Sequence, residues 1–239
     1  MNVGFYTARS GLITMQQGLD IVSNNIANQQ TNGYKALRPS FSDLLYTVQK
    51  PQDAQAQTGD GVKVLKTDLM YERGQLMLTN RPLDYATPSD GFFATKNAAG
   101  DISYTKDGAF SIAQDGTTWK LVNANGENVL DENKNPITLN LNANGEIDSE
   151  ELTSQLAVFK FENPYGLEAN GANSYFQTQS SGEGIADNSL VKLSGSLEQS
   201  TVDLGEQMIK MIELQRGFQL NSKMVQTADE IASIVNNLR

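Results

Sequence analysis

The run Asn140 to Glu151, Asn-Leu-Asn-Ala-Asn-Gly-Glu-Ile-Asp-Ser-Glu-Glu, is the stretch of this chain most like a metal site. Its amides, its central Gly, its late Asp and its closing Glu follow the spacing of an EF-hand calcium loop. A calcium loop also needs a carboxylate in first place and a helix leading into it. Here Asn140 is neutral, and Pro136-Ile-Thr-Leu-Asn-Leu141 alternates like a strand. A hairpin turning at Asn144-Gly145 explains the same residues without a metal, and this is the reading favoured. Asp131-Glu132-Asn133-Lys134-Asn135, closed by Pro136, reads as a turn. No carboxylate pair is marked by spacing as an acid/base couple, and neither a nucleophile elbow nor a phosphate-cradling glycine loop occurs. The chain has no Cys and no His, which excludes disulfide scaffolds, Cys/His zinc sites, thiol nucleophiles and His-based triads. The expectation is therefore no catalytic residue, no metal, no cofactor and no enzyme.

The elements that would have to position any site explain why chemistry is scarce. Among 239 residues, 22 are Asn and 18 are Gln, while only 19% are charged and the formal net charge is −10. An acidic chain of this kind is a poor partner for nucleic acid or an anionic membrane, and no apolar run is long enough to insert into a bilayer. Residues 1–11 lack the apolar core and cleavage site of a secretory leader, so export without a cleaved signal peptide is expected. The acidic charge is concentrated in residues 51–195, whereas residues 1–50 and 196–239 balance each other.

Both ends read as helices with heptad seams. At the start, Phe5, Leu12, Leu19 and Ile26 recur every seven residues, with Ala8, Met15 and Val22 on the adjacent line. The pattern stops at Asn32-Gly33. At the end, Leu197, Leu204, Met211, Phe218, Val225 and Ala232 recur in the same way, with Leu214, Ala228 and Val235 beside them. Gln207 and Asn221 are polar members of that second line, and a buried amide on a seam fixes register. Ser200 with Asp203 resembles a capping box at the helix start. The expected assembly seam is Phe5, Leu12, Met15, Leu19, Val22, Ile26, Leu204, Met211, Leu214, Phe218, Val225 and Val235. Ile13, Ile21, Ile209, Ile212, Ile231 and Ile234 lie off these seams. Two helices cannot cover all of this surface, so further helices are expected, with the ends ordering fully only on assembly.

The middle has another rhythm. Asp107-Gly108, Asp115-Gly116, Asn125-Gly126 and Asn144-Gly145 punctuate short strand-like runs at 102–105, 109–112, 119–122, 137–141 and 156–161. Trp119 fits a core or cross-strand position. The fold class expected is α+β: a discontinuous coiled-coil domain from residues 1–36 and 196–239, an extended linker over 37–74, and an inserted, mostly antiparallel, β-rich outer domain over 75–195. Gln49 to Gly61 reads as a polar loop.

Ser23-Asn24-Asn25-Ile26-Ala27-Asn28 followed by Thr31-Asn32-Gly33-Tyr34-Lys35 resembles the N-terminal signature of the bacterial flagellar rod and hook proteins. Gln215-Arg-Gly-Phe-Gln-Leu-Asn-Ser-Lys223 and Thr227-Ala-Asp-Glu230 resemble its C-terminal one. In the middle, Gly91-Phe-Phe93, Tyr104-Thr-Lys-Asp-Gly-Ala-Phe110 and Gln179-Ser-Ser-Gly182 also match. Phe41-x-Asp-Leu-Leu-Tyr46 and the overall size are most similar to the distal rod type. The short stretch from Lys50 to Gly61, where that type often has more, leaves a proximal rod or rod-like paralogue open, and a hook protein is a further alternative. The resemblance implies a structural subunit of a helical tube in the basal body, within the cell envelope, which transmits torque and encloses the export channel. It implies self-association as a helical homo-oligomer, contact with neighbouring rod and hook subunits, and unfolded passage through the flagellar export apparatus. Phe41 and Leu45 resemble the family's export-gate motif; packing explains them equally well. Gln199, Gln207, Gln215, Gln219 and Asn221 would suit a neutral channel wall. From a different class, a secreted coiled-coil binding or adhesion module shares the same layout.

Overall fold

The computed structural model describes residues 3–48, 57–116, 118–139, 149–187 and 189–238. The chain divides into two compact units. The first comprises Met1–Ala27, Leu37–Leu69 and Val202–Arg239; the second comprises Asn28–Ala36 and Met70–Thr201.

In the first unit, α1 (Val3–Ala27) and α3 (Leu204–Asn237) pack along their length. They are antiparallel: Asn25 meets Gln207, Gly18 meets Leu214, Gly217 meets Met15 and Gly11 meets Asn221. Asp203 caps α3, its Oδ1 accepting from the Gly205 and Glu206 amides at 2.8 and 3.1 Å. Asp203 is thus the cap itself rather than the N3 residue of a box begun by Ser200. No Pro follows Pro164, and α3 runs 34 residues.

The stretch 37–74, expected as an extended linker, contains a β ribbon. Strand Leu37–Asp43 pairs antiparallel with Val62–Leu69, with a bulge between Ser40 and Phe41, and Tyr46–Val48 pairs with Gln57–Gly59. The ribbon is tied to α1. Thr14 Oγ1 donates to the Val62 carbonyl at 2.9 Å, and the Val62 amide reaches Ser10 Oγ at 3.4 Å. Pairing satisfies backbone groups that a bare linker would leave to water. Residues 49–56, most of the expected polar loop, lie outside the described residues.

The second unit is built on an antiparallel sheet. Its central strand Phe93–Lys96 lies between Ile102–Thr105 and Asn128–Val129. Ser174–Phe176 and Glu168–Gly171 extend one side; Thr118–Val122, Ser111–Asp115 and Thr138–Leu139 extend the other. Alternation places Phe93, Leu121, Val129 and Leu139 in one core with Tyr85, Phe110 and Val158. The short helix α2 (Ser149–Gln155) adds Leu152, with Leu156 just beyond it; Trp119 packs on this core and faces Leu139 across the ladder.

Asp115-Gly116 makes the expected hairpin, and Asn125-Gly126 turns between paired strands. Asp107-Gly108 does not join paired strands. Ile102–Thr105 pairs elsewhere, and the Gly108 carbonyl accepts from the Tyr85 amide at 3.0 Å. A Cβ on Gly108 would fall within 1.7 Å of the Tyr85 carbonyl oxygen, so this glycine serves a close backbone approach. Residues 140–148, including most of the calcium-like run and Asn144-Gly145, lie outside the described residues.

Candidate assembly surface

Along α1 the fully buried positions are Ala8, Gly11, Thr14, Gly18, Val22 and Asn25. The pairing therefore centres on Ala8 and Val22 and on the small or polar residues Gly11, Thr14, Gly18 and Asn25. Phe5, Leu12, Leu19 and Ile26 are half-buried at its margin, as is Met15. The glycines explain the offset. A Cβ on Gly11 would come within 2.8 Å of Asn221 Nδ2, and one on Gly18 within 3.1 Å of Leu214, so α3 lies against bare backbone there. A count of large apolar residues cannot see a seam made of glycine.

On α3 the pattern is similar. Leu204, Met211, Leu214, Phe218 and Val225 are half-buried, and Gln207 and Ala228 are buried. Val235, expected on the seam, is 59% exposed. The antiparallel register runs α3 past the start of α1 near position 229, so α1 offers nothing to cover Ile231, Ile234, Val235 or Leu238. Met208, Ile209, Ile212, Leu220 and Met224 are also exposed along the body of α3, as is Ile13 on α1. A row of exposed apolar residues along one helix of this kind marks an interaction site.

The signature residues do structural work at its root. Ser23, Asn24 and Ala27 are exposed and Ile26 is half-buried. Asn25 is fully buried and bonds Leu37 twice: its Nδ2 donates to the Leu37 carbonyl and its Oδ1 accepts from the Leu37 amide, both at 2.8 Å. The Nδ2 also reaches Gln207 Oε1 at 3.1 Å, so one amide links both helices and the ribbon.

Asn28 to Lys35 belong to the β-rich unit. The Thr31 amide and hydroxyl bond Asn28 at 3.2 and 3.1 Å, closing a turn. Gly33 has φ +66°, and its amide donates to the Glu198 carbonyl at 2.7 Å; a Cβ there would strike the Lys106 backbone at 2.6 Å. Tyr34 accepts from the Thr201 amide at 3.1 Å.

Lys35 is 1% exposed and donates to Glu198 Oε1 at 2.7 Å and to the Glu72 carbonyl at 2.6 Å. Glu198 Oε1 also accepts from the Gly74 amide. A second buried cation, Lys106, lies 3.8 Å from Glu198 Oε2, donates to the Ser89 carbonyl and sits over the Phe92 ring. Burial lowers the Lys106 pKa to about 8, with Glu198 opposing and Lys35 reinforcing the shift. Sequence reasoning assigned no role to Glu198 or Lys106. Glu198 closes the buried strand Ser196–Glu198, whereas Lys106 lies just past Ile102–Thr105, where no periodic pattern marks it.

Phe41 lies in the strand Leu37–Asp43, and Leu45 lies between that strand and Tyr46–Val48. Phe41 is 44% exposed with its ring tip near Gly18, and Leu45 is 86% exposed beside an exposed Tyr46. Phe41 therefore makes a helix contact, while Leu45 is available to a partner. Among the described residues, no cluster of three or more acidic residues is placed to hold a metal, and no helix is long and apolar enough to cross a membrane.

Comparison with known proteins accounts for this arrangement. Residues 5–35 match the family model "Flagella basal body rod protein", residues 87–152 the "Flagellar hook protein FlgE/F/G D1 domain", and residues 193–238 the "Flagellar basal body rod FlgEFG protein C-terminal". The chain is 32% identical to the flagellar basal-body rod protein FlgG of Borreliella burgdorferi, over 98% of this chain and 97% of that one. The chain belongs to the flagellar basal-body rod protein family. It is likewise 33% identical to FlgG of Bacillus subtilis and 30% identical to the hook-basal body complex protein FlhP of that organism, each over 98% of both chains. The family models cover both helices and residues 87–152 of the β-rich unit, and the full-length relative spans the rest, so α1, α3 and the β-rich unit are all family elements. A structural rod subunit is the role they support.

Proposed function

We propose that this chain is a distal-rod-type subunit that self-assembles through α1 and α3 into a helical tube. The observation that carries the proposal is the uncovered apolar face of α3, from Met208 to Leu238. Each Ile, Leu or Met that becomes fully buried contributes about 1.5–3 kcal/mol. This face meets a different patch on the next copy, and such heterologous contacts propagate into an open helix. Packed helices then transmit torque and surround the export channel, with neighbouring rod and hook subunits at the ends. The chain travels unfolded through the flagellar export apparatus, Leu45 with Phe41 engaging the gate.

Ile212→Asp and Ile231→Asp test this, because both residues are exposed and their replacement spares the α1–α3 pairing. Each variant should keep the isolated chain's circular dichroism and still be exported, yet yield no rod and no swimming. Normal rods from both variants would refute assembly through this face. Immunogold labelling of hook–basal bodies with antibody to the β-rich unit should mark the rod near its junction with the hook; label along the hook would refute the distal-rod position.

A further inference from the structure

The β-rich unit carries nine Lys and Arg against eighteen Asp and Glu. Three of those nine cations, Lys35, Arg73 and Lys106, line one cleft of about 240 Å3 together with Tyr71, Asp90 and Phe92. Asp90 is a loose partner, 3.9 Å from Arg73, and both are solvent-exposed. Glu198, which bonds Lys35, is left to neutralise two buried lysines. Positive charge thus gathers at one concave spot in a strongly acidic domain.

The donors there are under-used. An ammonium has three N–H groups. Lys106 spends one on Ser89; Glu198 Oε2, at 3.8 Å, is beyond hydrogen-bond reach. Tyr71 Oη is buried with no hydrogen-bond partner among the described residues. Burial raises the Tyr71 pKa, so the phenol stays a donor across the physiological range. Buried polar atoms in folded proteins are nearly always satisfied. The group that answers several N–H and O–H donors together is a carboxylate, which only accepts and carries the complementary charge. The cleft is far roomier than the volume of about 30 Å3 that one water occupies.

We propose that this cleft receives a carboxylate from an acidic side chain on the β-rich unit of a second copy of the chain, an inference that rests on the self-assembly proposed above. Like units with this excess of acidic groups repel over most of their surface. The cleft is where one copy offers the opposite sign, so it selects the docking register that seats a carboxylate in it. Arg73, exposed at the rim, guides the carboxylate, and Lys106 and Tyr71 take its oxygens.

Two measurements on the full chain test the proposal. First, the unassembled protein is titrated with sodium acetate against sodium chloride at constant ionic strength, following the Tyr71 and Phe92 ring protons by NMR. Acetate should give saturable shifts that chloride does not, and Arg73→Gln, at an exposed position, should weaken acetate about threefold, as for a partly screened ion pair. Second, assembled protein made from equal parts 14N- and 15N-labelled chains is treated with carbodiimide and analysed by mass spectrometry. Mixed-isotope amides joining Lys106 or Lys35 to an Asp or Glu are expected, beside same-chain links to Glu198. No acetate-specific shift would overturn the carboxylate site. Acetate binding with only same-isotope links in assembled protein would overturn the second copy as its source. Acetate binding by a chain that never assembles would refute the assembly reading, and the second copy with it, while leaving the carboxylate specificity standing.

Discussion

Replacing Lys35 by Met removes a cation that is 1% exposed, with its bonds to Glu198 at 2.7 Å and to the Glu72 carbonyl at 2.6 Å. Breaking a buried ion pair from one side costs about 3–5 kcal/mol, because the remaining charge is stranded. Here Glu198 keeps the Gly74 amide at 2.8 Å and Lys106 at 3.8 Å, so the low end, about 3 kcal/mol, is expected for Lys35→Met. Glu198→Gln is the sharper case. It leaves two buried ammonium groups without a counter-ion and should cost more, toward 5 kcal/mol. Trp119 is the chain's single Trp and packs on the core of the β-rich unit, so its fluorescence during urea unfolding reports on that unit. With a slope of about 2 kcal/mol per molar urea, Lys35→Met should lower the midpoint by about 1.5 M. The Glu198→Gln loss should shrink at pH 9.5, where Lys106 has lost its proton. A Lys35→Met effect below about 1 kcal/mol, or a Glu198→Gln effect no larger than that of Lys35→Met, would refute a buried triad organised around one carboxylate.

Two more outcomes follow from other parts of the molecule. Asn25→Ala removes both bonds to Leu37 and strands the buried Gln207 amide, so it should cost about 2–3 kcal/mol and lower the thermal midpoint of the helical signal at 222 nm. Stability of the β-rich unit should change with pH in a defined direction. Lys106 titrates near 8 in the folded chain and at its ordinary 10.5 when unfolded, so the unfolded chain binds more protons between those values and stability rises across that window. Burial raises the pKa of Tyr34, Tyr71, Tyr104 and Tyr175, so stability falls again once unfolded tyrosines ionise above pH 10. Urea midpoints read by Trp119 from pH 7 to 11 should therefore peak near 10, and Lys106→Met should remove the rise.

The local signals in this sequence carried far. Heptad spacing located both helices, because a period of three and a half residues needs no knowledge of the partner, but it began the second one repeat early, at Leu197, which lies in the strand Ser196–Glu198. Asp115-Gly116 fixed a hairpin, because its turn closes within a few residues. The matches at both ends, in order, already pointed to the rod family. Tertiary structure decided what depends on distant partners. Gly11 and Gly18 became central to the helix pairing because Asn221 and Leu214 approach them, and no apolar count weights a glycine. Asp107-Gly108 has the same turn chemistry as Asp115-Gly116, yet its strands pair elsewhere and its glycine serves the Tyr85 backbone. Residues 37–74 looked like a linker because the two strands of the ribbon are separated by a long polar stretch. Lys35, Lys106 and Glu198 lie far apart in sequence and share one buried site. Charge gives no periodic mark of its partner, so only the folded chain could bring those three together.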